Sequence, residues 1–147
     1  MSHVKLKAAV AGVATGTSAK TVLQLVAAAN HRVVVKEVVV TFAGQTNGHL
    51  PILAELLRQS DAGTMSSLTP KKNGDFGETL QTTAQHTATV EPTPGDVLDY
   101  KYIHPQGGHD WQAVFGDEYE VPGGGRLAVR VTAANDVNCA VSISAEE

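Results

Sequence analysis

Two runs near the C-terminus alternate apolar and polar residues so regularly that they leave little choice of architecture. Between Arg126 and Thr132 the residues Leu127, Val129 and Val131 alternate with Arg126, Ala128, Arg130 and Thr132. Between Asn138 and Ser144 the residues Cys139, Val141 and Ile143 alternate with Asn138, Ala140, Ser142 and Ser144. Side chains on a strand point alternately to its two faces, so each run reads as a strand with one dry and one wet side. Asn135-Asp136 between them are turn formers, and the pair is expected to close as a hairpin. Neither strand hides its apolar row alone. A facing layer is required, which points to an all-β antiparallel sandwich of two sheets.

The rest of the chain fits that reading. At 147 residues it has the size of one domain with one sizeable core. Residues 1–19 are small and weakly patterned, and predict an extended N-terminal arm, with at most a short strand at 8–13, ahead of a β-sandwich domain over 20–147. Such an arm should be removable without loss of fold. Residues 21–26 (T-V-L-Q-L-V) predict a strand, and residues 32–42, with six valines and Phe42, predict a central one. Residues 50–60 are ambiguous, since Leu50, Leu53, Ala54 and Leu57 fit helical spacing while Ile52, Ala54 and Leu56 fit a strand; the sandwich context selects the strand. Residues 61–85, polar and turn-rich, predict a long surface loop. Further strands are expected at 87–91, at 96–103, where Leu98, Tyr100 and Tyr102 alternate with Asp99 and Lys101, and at 111–115, with Trp111, Ala113 and Phe115 on one side. Core packing accounts for Tyr100, Tyr102 and Trp111 more simply than a sugar-stacking platform does.

Composition removes several function classes. The net charge is -4 and the eleven Lys and Arg are scattered, which gives no field for a nucleic-acid backbone. No apolar run reaches the roughly 20 residues that span a bilayer, and residues 1–19 only loosely mimic a secretion signal, so a soluble chain with no membrane partner is expected. The single cysteine excludes an internal disulfide, and its place in the row with Val141 and Ile143 predicts a buried thiol.

Two motifs tempt and fail on their own residues. The run A-T-G-T-S-A-K-T over 14–21 resembles a phosphate loop, but Ala19 stands where the second glycine belongs and no helix pattern follows. Gly116, Pro122 and Gly124 fall at the spacing of the second cupin motif, yet Leu127 and Val131 occupy the positions of its histidine and asparagine. His104 and His109 with Glu118 lack the separation that would put two imidazoles on one strand face, and His104, His109 and Asp110, which could gather around an ion in the loop 105–108, read more simply as a solvated loop. No Ser, Cys or Lys sits in a nucleophile setting. No catalytic residue, cofactor or metal ligand is assigned.

The segments T-V-L-Q-L-V-A-A-A-N-H-R-V-V-V-K-E, L-L-R-Q-S-D-A-G-T-M-S-S-L-T-P, L-Q-T-T-A-Q-H-T-A-T-V-E-P-T-P-G-D-V-L, H-P-Q-G-G and V-P-G-G-G-R-L-A-V-R-V-T-A-A resemble auxiliary virion proteins of tailed bacteriophages, over roughly residues 20–147. The resemblance implies a single jelly-roll-like sandwich acting as a head decoration, or cement, protein. It further implies a homo-oligomer, a trimer, that is made in the host cytoplasm and stands on the outer capsid surface with the major capsid protein as partner. Contact with the capsid is assigned to the arm, through Lys5, Lys7, Val10 and Val13. The alternatives are a receptor- or glycan-binding tail or head-fibre module and a cupin-like metalloenzyme.

Overall fold

The computed structural model describes residues 4–74 and 77–147. Among them run twelve strands: β1 (Lys5–Ala14), β2 (Lys20–Val26), β3 (Val33–Phe42), β4 (Ile52–Gln59), β5 (Thr64–Leu68), β6 (Lys71–Lys72), β7 (Thr83–Val90), β8 (Pro94–Ile103), β9 (Gly108–Gln112), β10 (Tyr119–Val121), β11 (Arg126–Thr132) and β12 (Asn138–Glu146). They form two antiparallel six-stranded sheets packed as a β-sandwich. The first sheet has the order β10-β3-β12-β1-β6, with β9 also on β3; the second has the order β5-β7-β2-β11-β4-β8. Residues 32–42 are central as expected. β12 takes one edge of β3 and β9 and β10 share the other.

The two C-terminal strands have the dry rows their alternation predicts, but they are not a hairpin. β11 pairs with β2 and β4, while β12 pairs with β1 and β3, so residues 133–137 form an arch from one sheet to the other. Leu127, Val129 and Val131 face the core from one side and Cys139, Val141 and Ile143 from the other, all buried. Alternation states that a strand has one dry face and is silent about its neighbours. Facing each other across the core buries both rows at once, where pairing edge to edge would leave both uncovered on the same side.

The extended arm is also corrected. Lys5–Ala14 is an interior strand, held by β12 on one edge and β6 on the other, and Leu6, Ala8 and Val13 are buried in the common core. No boundary falls at residue 19. Thr15 ties the next turn to the arch, its N–H donating to the Val137 carbonyl and its hydroxyl accepting from the Val137 N–H. The alternation was hidden by alanines and by a bulge between Val10 and Val13, where Gly12 takes φ 68°, a conformation costly for other residues. The long loop expected over 61–85 is shorter than predicted: β5 pairs with β7, β7 begins at Thr83 and β6 caps β1. Residues 50–60 are strand, as the sandwich context requires. β4 lies between β11 and β8 and is buried on both faces, which explains why its period could not be read.

Candidate functional site

The outward face of the second sheet is closed. Arg126, Ala128 and Arg130 point away from the core on β11, with Leu57 opposite Ala128, and Leu57 and Ala128 are nonetheless fully buried. Their cover comes from the connections 60–63 and 91–93, which lie against each other. The Ser60 N–H donates to the Thr93 carbonyl, and the Asp61 carboxylate accepts from the Thr93 hydroxyl at 2.6 Å and from the Thr93 and Gly63 amides. A side chain at Gly63, φ 53°, would collide with the Val90 carbonyl. Beneath them, Gln24 Nε2 donates to Gln59 Oε1 at 2.6 Å and to the Asp61 carbonyl, Gln59 Nε2 donates to Thr21 Oγ1, and Arg126 donates to Gln24 Oε1. Gln24 is fully buried and Gln59 nearly so, each with its polar atoms occupied. This satisfied network is a structural plate. Sequence reading passed over it, although a glutamine inside T-V-L-Q-L-V was its signal.

The outward face of the first sheet is open. Ala9, Ala11 and Thr41 are exposed and Val39, Ala140 and Ser142 half-buried, and together they floor a shallow depression across β1, β12 and β3. Lys5 and Lys7 flank it on β1, outward and exposed. Glu37, Asp110 and Gln112 flank it on β3 and β9, with Gln112 Nε2 donating to both carboxylates, at 3.1 and 3.2 Å. Burial and then the neighbouring Glu37 carboxylate push the Asp110 carboxyl above its ordinary range. Of the four residues expected to touch a partner, the structure leaves Lys5 and Lys7 accessible. Val13 is buried and is corrected to a structural role, while Val10, opposite Val141, is half-buried, packing against the core and also lining the depression. Ala9 and Ala11, missed in the sequence, stand on the outward row.

A third exposed feature is the edge strand β8. Tyr100 is 58% and Tyr102 79% exposed, with Leu98 beside them at 39%, so the expected core packing of the tyrosines is corrected. The alternation was right and its polarity reversed: the charged residues Asp99 and Lys101 sit on the inward side. Asp99 Oδ2 accepts from Trp111 Nε1 at 2.8 Å, bridging to β9 of the other sheet, and Lys101 Nζ lies 3.3 Å from the same oxygen. These bonds outweigh burial and hold the Asp99 carboxyl below its ordinary range. Trp111 is buried as expected, but Val114 and Phe115 lie beyond the end of β9 and are exposed.

The phosphate-loop-like run is occupied by the protein's own acids. The Gly16 amide donates to Asp136, and the amide and hydroxyl of Thr21 donate to Glu91, so the groups that would meet a phosphate already hold carboxylates. Leu127 and Val131, at the cupin positions, are core residues. His104 Nδ1 accepts the Gln106 amide and His109 packs edge-on against Trp111, ring centroids 4.9 Å apart. Among the described residues no three His, Cys, Asp or Glu side chains converge as a metal site, and no helix is long and apolar enough to cross a membrane. Searches of protein-family models, curated proteins and solved structures found no match to this chain.

Proposed function

We propose that the chain is a structural protein of a tailed-phage virion, a head decoration protein that lays the outward face of its first sheet on the outer capsid surface. The observation that supports this is the contrast between the two sheets: one outer face is closed by the chain's own connections, and the other presents a broad floor of small residues with few charges. Small side chains let a second surface approach a sheet closely, and the acidic and basic margins at Glu37/Asp110 and Lys5/Lys7 give such a contact an orientation. The role is structural, and the partner is the major capsid protein.

The test is co-sedimentation with expanded capsids stripped of this protein. The intact chain should saturate them, and Ala9→Lys with Ala11→Lys should fold normally yet leave them bare. Occupancy equal to that of the intact chain would remove the face from the contact, and failure of the intact chain to bind would remove the decoration role. The exposed Tyr100 and Tyr102 favour a second reading, a glycan-binding virion module. Specific glycan-array binding lost in Tyr102→Ala would establish it.

A further inference from the structure

We propose that two copies of the chain associate through the free edge of β8, pairing antiparallel about a two-fold axis at Tyr100, so that the second sheets of both copies join into one. This rests on the geometry of the edge and not on the virion reading. Among the described residues β8 is the last strand of its sheet and pairs only with β4. An open edge of ten residues carrying Leu98, Tyr100 and Tyr102 in the open is a template for another strand.

The register follows from the backbone. The Tyr100 N–H donates to a side chain of its own strand, Asp99 Oδ1 at 2.9 Å, which places the backbone groups of Tyr100, and by alternation those of Tyr102, on the open edge. An antiparallel partner must match edge-facing residues with edge-facing residues, which places the axis on a residue rather than between two; an axis within the exposed row from Leu98 to Tyr102, so that the row overlaps its own copy, then falls at Asp99, Tyr100 or Lys101. An axis at Asp99 sets that carboxylate against its own copy. An axis at Lys101 does the same with two ammonium groups. An axis at Tyr100 sets Asp99 against Lys101 of the other copy twice over, Leu98 against Tyr102, and Tyr100 against itself. Like charges directly opposite destabilise a strand pair and opposite charges stabilise it, so one register of three is selected. Charges on the inward side of an edge strand ordinarily block pairing. Here, each meets its complement. On pairing, the Tyr100 amide passes from Asp99 to the partner's Tyr100 carbonyl, leaving Asp99 Oδ1 for the incoming lysine. The association is two-fold, in place of the trimer implied by the resemblance to decoration proteins.

The experiment is sedimentation equilibrium of the full chain across the micromolar range, with oxidative cross-linking of single-cysteine variants. Cys139 does not interfere, since it is 2% exposed and burial pushes its thiol up to about 11. A dimer is expected, and Lys101→Asp should weaken it by about tenfold or more by placing like charges opposite. Tyr100→Cys should cross-link to its own copy, because directly opposed residues of a hydrogen-bonded pair lie about 5.5 Å apart, within disulfide reach. Tyr102→Cys, although more exposed, should not, since its own copy lies four residues out of register, about 14 Å away. A monomer at every concentration, a trimer, or a dimer that cross-links at 102 and not at 100 would each overturn the proposal.

Discussion

On the outward side of the second sheet Gln24 and Gln59 are almost wholly buried, whereas on the outward side of the first Ala9, Ala11 and Thr41 stand in the open. Composition would suggest the reverse. The difference lies in where the connections run. β4 leads to β5 and β7 leads to β8 within one sheet, so residues 60–63 and 91–93 have to cross β2 and β11, and the polar groups they cover are satisfied by one another. Among the described residues no such connection joins strands of the first sheet across its outer side. A face is therefore closed by topology, and residues chosen for that closure are polar because they must bond the backbone lying over them.

The sharpest way to break this comparison is to remove β1. Among the described residues the open sheet has no covering layer and depends on strand pairing and on its inner row, so deletion of residues 1–19 takes away the partner of β12 along with Leu6, Ala8 and Val13. Cooperative folding should be lost, seen as a missing near-ultraviolet circular dichroism signal and no thermal transition. A truncated chain that melts cooperatively would restore the separate arm.

Next in size is the plate on the closed face. Gln24→Ala strips a partner from Gln59, Arg126 and the Asp61 carbonyl together, and leaving buried polar groups unsatisfied costs about 1–3 kcal/mol. Urea denaturation should show that loss with an unchanged slope. A change below about 0.5 kcal/mol, the range of ordinary surface substitutions, would mean the crossings hold without the network. On the open face Thr41→Ser, exposed and without such side-chain hydrogen bonds among the described residues, should stay inside that smaller range.

How much of this was legible in the sequence depends on what each signal encodes. The inward rows of β11 and β12 were readable because alternation reports local exposure, and their partners were not, because pairing is decided by residues far away in the chain. β1 was obscured by alanine, which carries little contrast between wet and dry positions, and by the bulge at Gly12 that shifts its phase. In β8 the period was right and the dry side wrong: Tyr100 and Tyr102 outrank Asp99 and Lys101 in hydrophobicity, but the Trp111 N–H needed an acceptor between the sheets, and Asp99 provides it. Of the residues expected at a contact surface, Lys5 and Lys7 could be placed outward from charge alone. The small-residue floor of Ala9 and Ala11 had no distinguishing chemistry until three strands were assembled beside one another.

The smallest expected effect separates the two faces by the sign of their response to pH. Asp61 belongs to the crossings over the closed face, and the Thr93 hydroxyl, the Thr93 amide and the Gly63 amide hold its carboxyl below its ordinary range. An acid lowered on folding stabilises the native state above its unfolded pKa, near 4, and that contribution fades as pH falls through the lower folded value. Asp110 beside the open face is raised, by burial and then by Glu37. An acid raised on folding binds its proton more tightly in the native state, so stability declines as pH rises from the unfolded value through the folded one. Urea midpoints measured from pH 3 to pH 7 should therefore show opposite changes of slope in two variants. Asp61→Asn should flatten the acid-side loss of stability, while Asp110→Asn should remove the opposing decline and leave the protein slightly more stable at neutral pH. Parallel shifts in both variants would mean that the two carboxylates share one environment, and the distinction between a closed and an open face would not extend to their charges.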